Sequence, residues 1–99
     1  MKYLLLFLLS FSAMSKEYIV VMEKMKFNPS TVEIELGDVV NFVNKDKSLH
    51  NVVIKKLKFK SKMLKKGDWV SITPNKKGDF DYYCQPHKAM GMKGLIKVK

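Results

Sequence analysis

Alternation constrains this chain more than any other feature. In Thr31-Val32-Glu33-Ile34-Glu35-Leu36 apolar and acidic side chains take turns, a period of two that suits an extended strand with one face buried and one in water. Val32, Ile34 and Leu36 are therefore expected to face inward, Glu33 and Glu35 outward. Runs of similar character recur roughly every ten residues: Tyr18 to Glu23, Val39 to Asn44, Val52 to Ile54, Trp69 to Thr73, Phe80 to Cys84 and Gly94 to Val98. Turn-forming clusters separate them, among them Phe27-Asn28-Pro29-Ser30, Gly37-Asp38 and Pro74-Asn75. Val39 to Asn44 alternates less strictly, which predicts a strand covered on more of its surface. Lys55 to Lys66 scatters Leu57, Phe59, Met63 and Leu64 among seven lysines with no firm period; it reads as an irregular strand or a short turn of helix. A chain of 99 residues has room for one small domain. About seven or eight short strands and no convincing helix predict an all-β fold, a Greek-key antiparallel β-sandwich.

The first fifteen residues break the pattern. Lys2 precedes the apolar run Tyr3-Leu4-Leu5-Leu6-Phe7-Leu8-Leu9, and Ala13-Met14-Ser15 places small residues at cleavage spacing, the three parts of a secretory signal peptide. The run is too short to span a bilayer, which takes roughly 20 residues, and no cysteine near the cut offers a lipid anchor. We expect residues 1–15 to be a leader and residues 16–99 to form the exported domain, periplasmic and without stable membrane insertion.

Charge narrows the partners. Nineteen lysines and no arginine stand against nine acidic residues, a formal charge of +10. A surface of that sign attracts acidic partners over distance. The missing guanidinium forks, which favour bidentate recognition of bases and phosphates, argue against nucleic acid. Lysine excess also follows from compositional bias and solubility, so it sets the sign of a partner and nothing finer.

Chemistry concentrates in Cys84-Gln85-Pro86-His87-Lys88-Ala89-Met90-Gly91-Met92, which holds the only cysteine, one of two histidines and two of seven methionines. A lone cysteine cannot close an intrachain disulfide after export, and by itself it is more often a small buried hydrophobe than a ligand. Thiolate, imidazole and thioether together change that preference. They suit a soft or borderline metal, copper above all, and not calcium or magnesium, which want oxygen. The other histidine, His50, lies thirty-four residues before Cys84, at the start of a strand. Two histidines, a cysteine and a weaker methionine make the donor set of a blue-copper electron-transfer centre, with either Met90 or Met92 in reach as the axial donor.

These residues also carry a family resemblance. His50-Asn51-Val52, Gly78-x-Phe80-x-Tyr82-Tyr83-Cys84-x-Pro86-His87 and Met92-x-Gly94-x-Ile96-x-Val98 resemble the cupredoxins, particularly the plastocyanin, pseudoazurin and amicyanin branch. Phe27-x-Pro29 with Leu36-Gly37-Asp38-Val39-Val40-x-Phe42-x-Asn44-x-Asp46 is similar to the first half of that family, so the resemblance runs from Phe27 to Val98. It implies one type 1 copper bound by His50, Cys84, His87 and Met92. Met92 is favoured over Met90 because Lys93-Gly94-Leu95-Ile96 resembles the segment after the family's axial ligand. It implies that the Asn51 side-chain amide ties the His50 loop to the Cys84 loop. It implies, too, that electrons leave through the exposed edge of His87 within an apolar patch. We expect Pro86, Ala89 and Met90 to form that patch and Lys45, Lys47, Lys88 and Lys93 to ring it, a basic face for transient docking of an acidic redox partner on a monomer. Where the family usually has a tyrosine whose hydroxyl bonds the neighbouring turn, this chain has Phe80, which predicts a corner held by packing alone.

The expected role is a single-electron shuttle. No coordination position stays open and no spare acid or base remains, so an enzyme is not expected; a Cys–His hydrolase would also lack its third orienting group. The alternatives are a periplasmic copper carrier without an electron-transfer role and a zinc-bound or metal-free structural module.

Overall fold

Strand β3 (Thr31–Ile34) obeys its sequence: Val32 and Ile34 are buried while Thr31 and Glu33 are exposed. The computed structural model describes residues 15–99, apart from the side chain of Ala89; except for Ser15, the expected leader lies outside the described residues. Around β3 the chain runs β1 (Glu17–Glu23), β2 (Lys26–Asn28), β4 (Val39–Asn44), β5 (Val53–Ile54), β6 (Phe59–Lys60), β7 (Trp69–Ile72), β8 (Gly78–Tyr83) and β9 (Lys93–Val98). A 3₁₀ turn at Lys55–Leu57 and a 3₁₀ stretch at Gln85–Met90 that is kinked at His87 are the helical pieces among the described residues, and no helix there is long and apolar enough to cross a membrane.

Two sheets face one another, one in the order β2-β1-β4-β7 and one in the order β3-β9-β8-β5-β6. The expected β-sandwich is present, with a correction at two seams. β1 runs parallel to β4 and β3 parallel to β9, while the remaining pairings are antiparallel. Antiparallel neighbours can share a hairpin, whereas parallel ones need a long connection. Here β2 and β3 lie on opposite sheets across the cis Asn28–Pro29 bond, so β1 and β3 each meet a strand reached only after the chain has crossed layers. Alternating signals mark strands and faces but carry nothing about direction.

Strand ends differ from the sequence expectation as well. Leu36, expected inward, lies beyond the end of β3 and is 46% exposed. The Leu36 N–H still bonds the Lys99 carbonyl at 3.1 Å, but the chain is already entering a turn in which the Asp38 carboxylate accepts the N–H groups of Glu35 and of Lys16, each at 2.9 Å, and the Leu36 side chain is left outside. The two bonds from Glu35 and Lys16 hold the Asp38 carboxyl below the usual carboxylate range. β4 alternates more cleanly than predicted, with Val40, Phe42 and Asn44 buried and the residues between them half-buried. The irregular stretch resolves into one of the 3₁₀ turns, the short β6 and a bridge from Leu64 to His50.

The core lies between the sheets and centres on three aromatic rings packed edge to face. Tyr82 stands 4.7 Å from Phe27 and 5.1 Å from Phe42, with ring planes 83° and 75° apart. Its hydroxyl donates to the Ser30 carbonyl at 3.0 Å. The expectation of a corner held by packing alone is therefore corrected: Phe80 is a core residue, and the hydroxyl comes from Tyr82 two positions later on the same face. Gly94 makes the reach possible, since a Cβ there would collide with the Ser30 carbonyl and the Tyr82 ring.

Removing that bond by Tyr82→Phe should cost about 1 kcal/mol, and Gly94→Ala, which forces the two strands apart, roughly 1–3 kcal/mol. Denaturant unfolding of both variants checks this; equal stability of all three proteins would mean that the corner does not hold the sheets together.

Candidate metal centre

β8 delivers Cys84 as period two requires: Phe80, Tyr82 and Cys84 are all buried, Asp81 is exposed and Tyr83 half-buried. Past Cys84 the chain enters the 3₁₀ turn Gln85–Met90, with Pro86 in its first positions. The His87 N–H donates to the Cys84 carbonyl at 3.1 Å, which folds the imidazole back toward the thiol. Gly91 ends the turn at φ +80°, a left-handed angle that glycine adopts without a Cβ clash. Its reversal lets Met92 bond twice across the loop, its carbonyl accepting from the Cys84 N–H at 3.1 Å and its N–H donating to the His87 carbonyl at 3.4 Å.

His50 arrives from the opposite direction. A two-bond bridge to Leu64 (3.2 and 2.7 Å) fixes its backbone, and the loop before it is wound around the buried Asn44. The Asn44 amide donates to the Ser48 and Leu64 carbonyls at 2.9 and 2.8 Å, and its oxygen accepts the Asp46 N–H at 2.8 Å. Asp46 in turn reaches His50, its Oδ2 lying 2.7 Å from Nε2. The same carboxylate accepts the N–H groups of Lys24 and Met25 at 2.8 and 3.0 Å. Burial pushes the Asp46 carboxyl up, but the bonds from His50, Met25 and Lys24 outweigh it and leave the carboxyl below its ordinary value.

With Nε2 held by Asp46, Nδ1 is the free face of the His50 ring. It lies 3.2 Å from Nδ1 of His87 and 3.5 Å from Sγ of Cys84, while His87 Nδ1 is 3.4 Å from the same sulfur. Among the described residues these three form the one cluster of metal-binding donors. A triangle with such sides has its centre about 2 Å from each corner, close to first-row metal bond lengths to imidazole nitrogen (about 2.0–2.1 Å) and to thiolate sulfur (about 2.3 Å). The arrangement thus has the dimensions and the soft-plus-borderline donors of a copper site.

Electrostatics agree. Burial, helped by the nearby His50 and opposed by Asp46, pushes His87 below its ordinary value, so at pH 7 its ring is neutral and has a lone pair to give. Burial pushes the Cys84 thiol up, tempered by the backbone N–H groups of Asn51 and His87. A metal ion reverses that balance by favouring the thiolate. The Asn51 side chain accepts the Gln85 N–H at 2.8 Å and so ties the two loops together as expected.

The two candidate axial residues part company. Met92 is completely buried, whereas Met90 is 67% exposed. His87 is half-buried, and Pro86, Lys45, Lys47, Lys88 and Lys93 are exposed; the side chain of Ala89 lies outside those described. Sequence reasoning missed Leu49, an exposed apolar residue beside His50, and the roles of Asn44 and Asp46. For Asp46 a usable sign existed, a carboxylate four residues before a candidate ligand histidine.

Residues 15–99 match the family model described as copper binding proteins, plastocyanin/azurin family. The chain is 36% identical over 84 residues to an amicyanin of Paracoccus versutus, covering 80% of this chain and 64% of that protein. It is 42% identical over 81 residues to a pseudoazurin of Paracoccus pantotrophus, covering 75% of this chain and 53% of that one. It thus spans less than two thirds of the length of these curated relatives. A solved Cu(I) form of an amicyanin variant matches with a TM-score of 0.78 at 28% identity, over 84% of this chain and 82% of that chain.

Because Asp46 fixes both the tautomer and the direction of the His50 ring, Asp46→Ala should weaken copper binding about 10–100-fold. Competition against a chelator of known affinity measures this, and an unchanged affinity would mean that His50 is aimed without its carboxylate.

Proposed function

The chain belongs to the plastocyanin/azurin family of copper-binding proteins, and from that premise we propose that it is a periplasmic shuttle of single electrons between partner proteins. In this reading residues 1–15 are the export leader, and residues 16–99 are a monomeric domain with one type 1 copper. His50 Nδ1, Cys84 Sγ and His87 Nδ1 would hold it, with Met92 as the fourth and weaker donor. The observation that carries the reading is the triangle of two imidazole nitrogens and one sulfur with sides of 3.2 to 3.5 Å. The burial of Met92 beside the loop, where Met90 faces water, supports Met92 as the fourth donor.

Copper supplies a one-electron store, since a set of thiolate, thioether and imidazole donors serves both of its common oxidation states. The residues of the chain do the rest by staying in place. Asp46 keeps a proton on His50 Nε2 and leaves the Nδ1 lone pair aimed at the thiol. Asn51 locks the loop of one ligand to the loop of the other two. Core packing around Met92 and Cys84 excludes water from the inner side. Donors that need not rearrange make electron exchange fast, and no acid, base or open position is left for substrate chemistry.

At the outer end His87 is half-buried, with exposed Pro86 and Met90 alongside. Exposed Lys45, Lys47, Lys88 and Lys93 favour an acidic redox partner that binds weakly and leaves quickly.

Loaded with copper, the domain should be blue from a thiolate-to-copper absorption band, bleach on reduction and recover on reoxidation through repeated cycles. Cys84→Ser should abolish the band. A colourless complex that hands its copper to an acceptor protein would replace this reading with that of a copper carrier.

A further inference from the structure

A depression of about 710 Å³ opens on the flank of the five-stranded sheet, on the side of β8 opposite Cys84. The half-buried Tyr83 lines it. Around Tyr83 stand Lys55 and Lys56 from the first 3₁₀ turn, Lys88 from the second and Lys93, its cross-strand partner on β9. The Lys88 ammonium sits 4.6 Å and the Lys55 ammonium 5.8 Å from the centre of the Tyr83 ring, within cation–π range. Lys56 donates to the Asp79 carbonyl at 3.3 Å. The ring and the carbonyl therefore give three of these flexible side chains a preferred place.

Among the described residues none of the four has a carboxylate partner, and the one lysine–carboxylate bridge is Lys99 with Glu33, neither of which lines this depression. Asp81, also lining the depression, is a single negative charge against four positive ones. Like charges gathered around an apolar ring repel one another, and an incoming run of carboxylates relieves that repulsion. A volume in the range of small-ligand sites holds several side chains at once, more than one carboxylate fills.

We propose that this depression is a docking site for an acidic segment of a partner protein, an extended run of Asp and Glu side chains. Their carboxylates meet Lys55, Lys56, Lys88 and Lys93 while their aliphatic parts pack on Tyr83. Lys88 and Lys93 also belong to the basic face around His87, so a partner seated on that end continues onto the flank, and the grip fixes its orientation. Only the description of the partner as a redox protein rests on the function proposed above; the site itself does not.

Hexaglutamate titrated into isotope-labelled copper(I) protein at low salt tests the site by amide NMR. The expected result is shifts confined to Lys55–Leu57, Tyr83, Lys88 and Lys93. The Lys55→Glu, Lys56→Glu double variant should bind roughly tenfold more weakly or worse, and the Lys76→Glu, Lys77→Glu variant, with the same change of charge on exposed lysines outside the depression, should bind within about threefold of the parent. Equal weakening in both variants would overturn the proposal in favour of net charge alone. Tripolyphosphate binding as tightly as the peptide at the same amides would overturn it in favour of a small-anion site. The absorption band recorded on the same samples after oxidation reports the copper site separately, so a failure there strikes the electron-carrier reading and not this one.

Discussion

Two imidazole nitrogens and a thiol held 3.2 to 3.5 Å apart in a largely dry place are the constraint on which the rest of the structure depends. Protons shared among three such atoms satisfy only part of what a bound cation would, and each donor has given up water to be there. Such a cluster persists only if the surrounding scaffold leaves the side chains no alternative. Two rigid sheets supply that scaffold, and a few polar bonds finish it: Asn51 to Gln85, Asp46 to His50, and the Met92 backbone across the loop from Cys84. Each joins segments that carry different donors, or holds one donor against its own loop.

Asp46 links the centre to a part of the chain that has no metal chemistry. Lys24 and Met25, the two residues between β1 and β2, adopt φ values of +56° and +61°, uncommon for residues with a side chain. Paired positive angles suit the twist of a two-residue hairpin, and neither position is glycine. The Asp46 carboxylate compensates by accepting both N–H groups while it holds His50. Folding of the first hairpin and aiming of the first histidine are therefore coupled through one side chain, and against burial, which pushes its carboxyl up, its three donors hold it below its ordinary value.

Much of this is legible in the residues because it follows from period and donor chemistry. The inward face of β3, the delivery of Cys84 by β8 and the convergence of His50 with the Cys84 loop all rest on short patterns. What the sequence hides is the placement of hydrogen bonds. Leu36 looks like the next inward residue, but the chain is already entering the turn that Asp38 holds. Phe80 looks like the lost corner hydroxyl until Tyr82, on the same face, reaches Ser30 over a bare Gly94. Lys55 to Lys66 has no period because it contains a turn, a two-residue strand and a bridge, and that bridge, through Leu64, is what holds the His50 backbone. Strand direction is equally invisible, since alternation is the same in parallel and antiparallel pairs.

A donor set already spaced for one shared ion has little reason to move when that ion binds or changes charge. Crystal structures of the same protein without metal and with copper test this rigidity most directly. A rigid site predicts that the three donor separations change by no more than about 0.3 Å and that copper is bonded to His50, Cys84 and His87 with the Met92 sulfur facing it. A His50 ring turned away in the metal-free crystal, or a copper ion bound without Cys84, would contradict it.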